Sequence, residues 1–478
     1  MYTDKPKDEC GIFGIYNNKE IEDIVNLLHR GLFGLQHRGE EGAGIAVATT
    51  RAISLFKGAG LVERLFSYDE PNNLQGHSGI GHVRYSLIGE SNTANTQPFA
   101  ANLGLNPDQI SDEETPEYGA VFSGAYSNSP FAVAHNGNFN EGLEACCKGS
   151  DTKAFTEMVS KSGEHNLRRA VVNSLRKIDA ARENGSSWAL LILTPDWMMG
   201  ARDPDGYRPL SLGRLGNSYV LSSETCAIKD IKAEPIRDIA PGEILFIDKK
   251  GLHSEYIATR IPLHQCIFEY IYLARPDSIM FGESVYNVRY RLGRRLAEEH
   301  PAKADIVVGV PDSGRIFAKG YAESLGILFE SEAIGRSHYF GRIFIQPKHK
   351  SREMGADYKF FVNRELVRGK SVVVVDDSRV RGINLAKTVE LLKEADAREI
   401  HVRVSSPPYI SSCYWGVDTY DTSLLVALHK TPEQMASDLK ISSLEYLSMD
   451  GLLSQLDHRA RDMCKRCFER HYNETNKS

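Results

Sequence analysis

Short apolar runs, separated by glycine or polar residues, dominate the chain from residue 10 to about 260. The runs GIFGIY, GAGIAVA, ALLILT and GEILFI have the length that is typical of buried strands. Near the start, LHRGLFGLQHRG predicts a helix that is followed by a glycine turn. Many short strands with a few longer helices predict a layered, sheet-rich domain.

From about residue 265 the pattern changes to strands that alternate with helices. The four valines at 372–375 predict a strand, and 383–395 predicts the helix that follows it. Continuous Val/Ile strands between helices indicate a parallel sheet covered on both faces. The segment from about 430 is predicted to be helical. Apolar residues three to four positions apart form one face of another predicted helix: Val285, Val288, Leu292 and Leu296.

Length, charge, apolar runs and cysteine content indicate what kind of protein this is. A chain of 478 residues predicts two or three domains. With 57 Lys and Arg against 63 Asp and Glu, the net charge of −6 argues against nucleic-acid binding, which needs a basic face. No apolar run approaches the ~20 residues that cross a bilayer, and the N-terminus lacks the apolar core of a secretion signal. We therefore expect a cytoplasmic protein with no membrane partner. Its eight cysteines are then expected to be metal ligands, nucleophiles or core residues rather than disulfides.

Two strand ends in the second half carry polar side chains. The strand in VVVVDDSRVRG (372–382) ends in Asp376 and Asp377, and a Ser/Arg/Gly loop then opens a helix. Such carboxylates suit Mg²⁺ or ribose hydroxyls, and a helix N-terminus suits a phosphate. Taken by itself, this motif could equally be a strand followed by a polar turn with no ligand. A second strand end, VVGVPDSG (307–314), brings Ser313 to the same edge, which favours a binding cleft.

VVVVDDSRVRG resembles the phosphoribosyl-pyrophosphate (PRPP) loop of type I phosphoribosyltransferases. Together with further motifs, the chain is similar to the amidophosphoribosyltransferase family over nearly its whole length. The motifs in this half are FEYIYLARPDS (268–278), VPDSG (310–314), YFGRIFIQP (339–347) and SSPPY (405–409). The resemblance implies an α/β protein: an N-terminal-nucleophile glutaminase αββα sandwich plus a type I phosphoribosyltransferase with a doubly wound parallel sheet. The implied organisation is a propeptide at 1–9, a glutamine amidotransferase domain at 10–260, and a phosphoribosyltransferase domain with C-terminal helices at 261–478.

The resemblance also implies the PRPP site. Ser313, Asp376 and Asp377 would hold one Mg²⁺ per subunit, bound to PRPP. The backbone from Ser378 through Asn384 would cradle the 5-phosphate. The implied PRPP-binding residues are Asp376, Asp377, Ser378, Val380, Arg381, Gly382 and Asn384. Basic candidates for the departing pyrophosphate are Arg315, Lys319, Arg342, Lys348 and Arg352.

The PRPP loop departs from the family pattern at three positions. Ile383 and Asn384 stand where two threonines are usual, and Arg379 replaces an aliphatic residue. Ile383 cannot donate a hydrogen bond, whereas Asn384 keeps an amide donor. In the flexible flap, Ile343 also replaces a threonine. These changes leave the affinity for PRPP and the identity of the acceptor open.

Cys10, in DECGIFGI, is the candidate nucleophile of the first half. A lone cysteine in an apolar strand is more often a core residue. The motifs LQHRGEEGAGI (35–45), GHVRYSLIG (81–89), AHNGNFNE (134–141) and GSDT (149–152), however, resemble the N-terminal-nucleophile glutaminases in content and order. There the α-amine of the first residue, with a pKa of about 7.7–8.0, acts as the base. Because nine residues precede Cys10, the resemblance predicts cleavage between Glu9 and Cys10.

The remaining glutaminase roles follow from the same motifs. Arg84 would bind the α-carboxylate of glutamine, and Asp151 would bind its α-ammonium group. The Asn136 side chain and the Gly137 backbone N–H would form the oxyanion hole. Arg38 and Gly39 would orient the nucleophile or the glutamine.

Four other cysteines form a candidate metal site. Cys464 and Cys467 form a CxxC, for which thiolate chemistry alone allows zinc, iron–sulfur, a redox pair or chance. The resemblance implies one [4Fe–4S] cluster per subunit, held by Cys266, Cys413, Cys464 and Cys467. Cys146, Cys147 and Cys226 are expected to be unligated.

These expectations converge on one activity. The chain would make 5-phosphoribosylamine from PRPP and glutamine, the first step of de novo purine (IMP) biosynthesis, as an amidophosphoribosyltransferase, a pentosyltransferase. The alternatives are a paralogous glutamine amidotransferase with another phosphosugar acceptor and a PRPP-sensing regulator. Family membership also implies a homotetramer that purine nucleotides inhibit.

Overall fold

In a computed structural model, the described part of the chain forms three large sheets with covering helices and three two-stranded sheets. The described residues are 10–17, 19, 23–67, 74–85, 95–104, 120–122, 129–139, 150–181, 186–258, 260–336, 360–380, 382–413, 415, 417 and 422–469. Residues 1–9, Cys146, Cys147, Arg381, and the flap residues Arg342, Ile343, Lys348 and Arg352 lie outside them. Within the described part, no helix has the length and apolar character needed to cross a membrane.

Two antiparallel sheets form the first half of the described chain, with strands numbered in chain order. The first sheet contains β1 (Gly11–Tyr16), β2 (Gly42–Ala48), β3 (Ile53–Ala59), β4 (Ser78–Arg84), β6 (Ala120–Phe122), β10 (Ser211–Leu215), β11 (Ser218–Ser222) and β12 (Glu234–Asp238). The second contains β5 (Phe99–Asn102), β7 (Pro130–Asn138), β8 (Ser187–Leu193), β9 (Trp197–Arg202), β13 (Glu243–Asp248) and β14 (Gly251–Tyr256). Their strand orders are β12-β10-β11-β1-β4-β2-β3-β6 and β14-β13-β9-β8-β7-β5.

The two sheets pack face to face around a shared apolar core. Ile12 and Ile80 of the first sheet lie in one buried cluster with Leu191 and Met198 of the second. The sheets approach closely at Gly14, where an added Cβ would lie 3.0 Å from the Met198 sulfur. Side chains of the two inner faces thus exclude water between the layers.

Helices cover the outer face of each sheet. The helices on the first sheet are α1 (Ile24–Phe33), α2 (Val62–Leu65) and α5 (Thr225–Asp230); those on the second are α3 (Asp151–Ser160) and α4 (Leu167–Ala180). Helix α4 begins at the Asn166 cap and buries Val171 and Leu175 against the sheet. The result is an αββα sandwich, which confirms the fold predicted for this half.

The second half contains a parallel sheet in the strand order β19-β18-β22-β23-β24. Its strands are β18 (Ile306–Gly309), β19 (Leu328–Phe329), β22 (Ser371–Asp376), β23 (Glu399–Val404) and β24 (Ser443–Tyr446). The valines of β22 alternate between two cores: Val373 and Val375 face one cluster, whereas Val372 and Val374 face the other. This double burial explains the continuous valine run and confirms the predicted doubly wound sheet.

Helices of the second half lie on both faces of this sheet. They are α6 (Val285–Glu299), α7 (Arg315–Leu325), α8 (Arg364–Val367), α9 (Ile383–Glu394), α10 (Val426–His429), α11 (Pro432–Leu439) and α12 (Met449–Ser454). The predicted apolar face of α6 is fully buried. The expectation of helices alone after residue 430 was wrong, because β24 extends the sheet. In β24 the buried Leu444 and Tyr446 alternate with partly exposed residues, a strand pattern too short to stand out in the sequence.

Short elements join the two halves and the C-terminal segment. A π-helix at Glu269–Leu273 precedes α6. The strand β15 (Gln265–Cys266) pairs in parallel with β25 (Met463–Cys464). Two further pairs are β16 (Ile279–Met280) with β17 (Glu283–Ser284) and β20 (Ile334–Arg336) with β21 (Phe360–Val362).

Candidate active site

Cys10 lies directly before β1, at one end of the αββα sandwich. Its thiol is 3.6 Å from the carbonyl oxygen of Tyr85, and its own carbonyl accepts a hydrogen bond from Arg38 Nε at 3.3 Å. Burial raises the pKa of the thiol to about 11, although Arg84 and Arg38 favour the thiolate. In this form of the chain the sulfur is a neutral thiol at pH 7, so it needs a base before it can attack.

Arg84 lies within electrostatic reach of Cys10, and Gly39 packs against the backbone of Arg84. Arg84 is the last residue of β4 and is buried, and this burial lowers the pKa of its guanidinium. A Cβ on Gly39 would lie 2.5 Å from the Arg84 carbonyl carbon, so any other residue would push the chain away from β4. The glycine therefore allows the segment after Arg38 to lie against the strand end that carries Arg84.

Asn136 and Gly137 lie on β7 of the opposite sheet. Asn136 is fully buried, and neither atom of its amide has a hydrogen-bond partner among the described residues. Gly137 has a φ of +132°, and a Cβ there would lie 2.1 Å from the Ser187 carbonyl oxygen. A buried amide without a partner is costly, so this pair is prepared to bind a polar group of a ligand.

Asp151 connects this pair to Cys10. Its Oδ2 accepts a hydrogen bond from the Phe139 backbone N–H at 3.0 Å, just beyond β7. Its charge also opposes ionisation of the Cys10 thiol and so contributes to the raised pKa of that thiol. The predicted glutamine-site residues thus gather at neighbouring ends of the two sheets.

Arg38 has a second set of contacts that the sequence did not indicate. Its buried guanidinium lies 2.6 Å from Glu224 Oε1 and 2.7 Å from Glu269 Oε1. Although burial opposes charge, Glu269 and Glu224 raise the pKa of Arg38. His37 and Arg38 likewise hold the pKa of Glu224 well below its usual range, against the effect of burial. Arg38 thus joins the nucleophile backbone to the π-helix of the second half.

Sequence reasoning missed both carboxylates. Glu224 lies in SSETCA and Glu269 in FEYIYL, and both are fully buried. For Glu269 the available signal was an acidic residue inside an aromatic and aliphatic run, because a buried carboxylate must be paired. The polar surroundings of Glu224 in the sequence offered no such signal.

The two predicted strand-end loops of the second half meet at one edge of the parallel sheet. The Val310 N–H donates to the Val375 carbonyl at 2.9 Å, and a Cβ on Gly314 would lie 2.4 Å from the same oxygen. Ser313 is therefore close to the end of β22, where Asp376 and Asp377 are buried. Asp376 Oδ1 accepts a hydrogen bond from the Asp377 N–H at 2.9 Å.

A buried arginine of α6 lies behind this edge. Arg289 donates to the carbonyls of Tyr270 at 2.7 Å and Ala274 at 2.8 Å. Burial lowers the pKa of Arg289 to about 10, while Asp377 and Glu224 favour its charged form. Arg289 therefore holds the π-helix in place and adds positive charge near Asp377.

The loop after Asp377 turns into helix α9. Ser378 and Val380 are buried, and Gly382 caps the helix with a φ of +82°. Asn384 lies in the first turn of α9. Of the basic candidates within the described residues, Arg315 begins α7, and the Lys319 amine contacts the Tyr286 hydroxyl at 3.3 Å.

The four predicted cluster cysteines lie together. Cys266 and Cys464 are paired across β15 and β25, and the Cys467 carbonyl accepts hydrogen bonds from Ile410 and Ser411, near Cys413. Burial, reinforced by the other three thiols, raises the pKa of Cys467. The described residues nevertheless contain no group of three or more His, Cys, Asp or Glu side chains that could hold a single metal ion.

The raised pKa of Cys10 predicts slow alkylation of the uncleaved chain by iodoacetamide. At pH 8 a thiol with a pKa of about 11 is only about 0.1% ionised. Between pH 7 and 9.5 the rate should rise about tenfold per pH unit, as followed by mass spectrometry of the Cys10 peptide. The same chain in urea, with an ordinary thiol pKa of about 8.5, should react on the order of 100-fold faster at pH 8. A plateau near pH 8.5 in the folded chain would contradict the raised pKa.

Glu269→Gln should destabilise the protein, because Arg38 would keep only one of its two buried carboxylates. We expect the free energy of unfolding to fall by about 3 kcal/mol, as measured by urea denaturation. The matched control is Glu298→Gln on the exposed side of α6, with an expected change below about 0.5 kcal/mol. Equal urea midpoints for Glu269→Gln and the unmodified chain would show that this ion pair contributes nothing.

Comparisons with known proteins identify the family to which the chain belongs. The model of the phosphoribosyl transferase domain matches residues 286–411. Amidophosphoribosyltransferase 2, chloroplastic, of Arabidopsis thaliana is 38% identical, covering 98% of this chain and 80% of its own length. The Bacillus subtilis amidophosphoribosyltransferase is 37% identical, covering 97% and 94%. The solved B. subtilis glutamine PRPP amidotransferase, complexed with ADP and GMP, superposes with a TM-score of 0.83 at 36% identity and covers 97% of each chain. The chain therefore belongs to the amidophosphoribosyltransferase family.

Proposed function

We propose that the protein makes 5-phosphoribosylamine from PRPP and glutamine, at the first committed step of purine biosynthesis. The observation that carries this proposal is the presence of two prepared sites in one chain. One is Cys10 with the buried amide of Asn136, and the other is the Asp376–Asp377 edge of the parallel sheet. The Arg38–Glu269 ion pair links the two halves.

The first half-reaction starts with the release of the Cys10 amine. Cleavage after Glu9 creates an α-amine, which takes the thiol proton and so overcomes the raised pKa of the sulfur. The thiolate attacks the glutamine amide carbon, and the Asn136 amide and Gly137 N–H stabilise the oxyanion. The protonated amine returns its proton to the departing nitrogen as ammonia leaves. Water then hydrolyses the thioester to glutamate and restores the thiol.

Charge recognition at this site selects free glutamine. Arg84 binds the α-carboxylate through its guanidinium, and Asp151 binds the α-ammonium group. Both side chains lie within electrostatic reach of Cys10. Arg38 holds the Cys10 backbone, so we assign it the positioning role expected from the sequence.

The second half-reaction takes place at the carboxyl edge of the parallel sheet. Ammonia reaches it inside the protein, because in bulk water at neutral pH most ammonia would be protonated and unreactive. The nitrogen lone pair displaces pyrophosphate from C1 of PRPP, and the loop before α9 holds the 5-phosphate. The residues that would hold Mg²⁺ are Ser313, Asp376 and Asp377, whose hard oxygen atoms suit this ion. When bound with PRPP, the ion would neutralise charge on the departing pyrophosphate.

We infer that Cys266, Cys413, Cys464 and Cys467 hold an iron–sulfur cluster. The other three thiols all contribute to the raised pKa of Cys467, which supports one shared centre, and the family resemblance favours an iron–sulfur cluster over zinc. The backbone N–H of Trp415 donates to the Cys413 sulfur at 3.4 Å, a contact that stabilises a thiolate. Ligation would tie the C-terminal segment to β15, because metal binding adds to the free energy of folding.

Regulation and assembly follow by analogy with relatives. The B. subtilis relative was solved with ADP and GMP bound, which supports purine nucleotides as inhibitors of this chain. We also propose a homotetramer, on the basis of the family resemblance, and a cytoplasmic location, on the basis of composition. The changed residues Ile383 and Asn384 favour one alternative, a different phosphosugar acceptor. Pyrophosphate release with PRPP, against release with other phosphosugar diphosphates, separates the two functions.

Cys10→Ala should abolish every glutamine-dependent reaction. We expect glutamate formation to fall at least about 10³-fold, because the attacking atom is lost. Pyrophosphate release with PRPP and ammonium chloride should persist, which serves as the internal control for folding. Glutamate formation that survives in the trimmed Cys10→Ala chain would refute the proposed mechanism.

Cys413→Ser should remove iron and sulfide from the anaerobically purified protein. The expected result is loss of most of the iron found in the unmodified chain, together with a lower melting temperature, measured by metal analysis and circular dichroism. Cys226→Ser is the matched control and should keep the full iron content. Zinc without sulfide in the unmodified chain would contradict an iron–sulfur cluster.

A further inference from the structure

Arg379 occupies an unusual position in the loop between β22 and α9. Its side chain is only 7% exposed. It lies against Gly382, where an added Cβ would be 2.8 Å from Arg379 Nε and 2.9 Å from Nη2. Gly382 is the cap of the 12-residue helix α9. The guanidinium is therefore buried at the N-terminal end of this helix.

The positive charge of Arg379 is not balanced by an ion pair with any of the described residues. Arg379 Nε and Nη1 are buried without a hydrogen-bond partner, and no described carboxylate lies within ion-pair distance. The nearby Ser378 hydroxyl is also buried without a partner. The N-terminus of α9 carries a partial positive charge, which adds to the positive potential of Arg379 at this position. Buried donors in this state are costly unless an anion binds them.

The set of donors matches a phosphate monoester. A phosphate offers three acceptor oxygens and nearly two negative charges, and a guanidinium can bind two of the oxygens at once. The backbone N–H groups at the start of α9 and the Ser378 hydroxyl can serve the remaining lone pairs. Ile383 has no side-chain hydrogen-bond donor, so Arg379 is the residue that can supply charged donors to the phosphate.

We propose that Arg379 is a specificity-determining residue, whose guanidinium binds the 5-phosphate of the ribose substrate at the N-terminus of α9. The inference rests on the proposed function for its substrate, and it deepens that proposal. The positive charge of Arg379 recognises the phosphate. Neutral donors in its place would give a weaker preference for phosphorylated over unphosphorylated ribose. Binding of the 5-phosphate is also expected to weaken as the salt concentration rises, as for other contacts between charged groups.

The test compares ribose 5-phosphate and pyrophosphate as separate probes of the two ends of the substrate. In Arg379→Met we expect ribose 5-phosphate to bind about 10- to 100-fold more weakly, as measured by calorimetry on the intact protein. Pyrophosphate, as an inhibitor of the ammonia-dependent reaction, should keep its inhibition constant. The KM for PRPP should rise by the same factor as the ribose 5-phosphate dissociation constant, with kcat at saturation little changed.

Two further variants guard against a purely structural effect. Arg379→Lys keeps the charge and should restore part of the lost affinity, which also covers the case in which Arg379→Met folds poorly. Lys393→Met removes the same charge at the far, exposed end of α9 and should leave ribose 5-phosphate binding unchanged.

The outcomes separate this inference from the proposed function. Turnover of PRPP by the unmodified protein, with unchanged ribose 5-phosphate binding in both Arg379 variants, would overturn the role of Arg379 alone. Loss of ribose 5-phosphate binding in Arg379→Met, with no turnover of PRPP by the unmodified protein, would support Arg379 and refute the proposed reaction.

Discussion

The ion pair of Arg38 with Glu224 and Glu269 is the constraint on which the two halves of the protein depend. Three fully desolvated charges carry a large penalty, and they persist because each is paired at 2.6–2.7 Å. The same guanidinium binds the Cys10 carbonyl. Cys10, the proposed nucleophile, is therefore positioned partly by a residue of the π-helix, which belongs to the second half of the chain.

The π-helix is held from both sides. Arg38 binds Glu269 at its first residue, whereas Arg289 binds the carbonyls of Tyr270 and Ala274. Since Arg289 also lies within electrostatic reach of Asp377, a series of buried charges extends from Arg38, which binds the Cys10 carbonyl, to the end of β22. Removal of Arg38 would leave the buried Glu269 carboxylate without its arginine partner in a low-dielectric interior.

Both sites use the same physical device, which is a backbone shaped by glycine beside a buried polar side chain. At the proposed glutaminase site, Gly137 adopts a positive φ next to the Asn136 amide, which has no hydrogen-bond partner among the described residues. At the proposed sugar site, Gly382 adopts a positive φ next to the guanidinium of Arg379. Backbone N–H groups need no reorganisation when an anion arrives, so such sites are prepared before the ligand binds.

The sequence alone determined the features that are set by local physics. The valine run of β22 and the apolar face of α6 follow from strand and helix periodicity, so they were predictable. The candidate residues around Cys10 came instead from the resemblance of their ordered motifs to a known family. The partners of Arg38 were not, because Glu224 and Glu269 lie 186 and 231 residues away along the chain. Strand β24 and the burial of Arg379 were likewise decided by tertiary packing. A charge is buried only when distant elements close around it, and that closure leaves no periodic trace in the sequence.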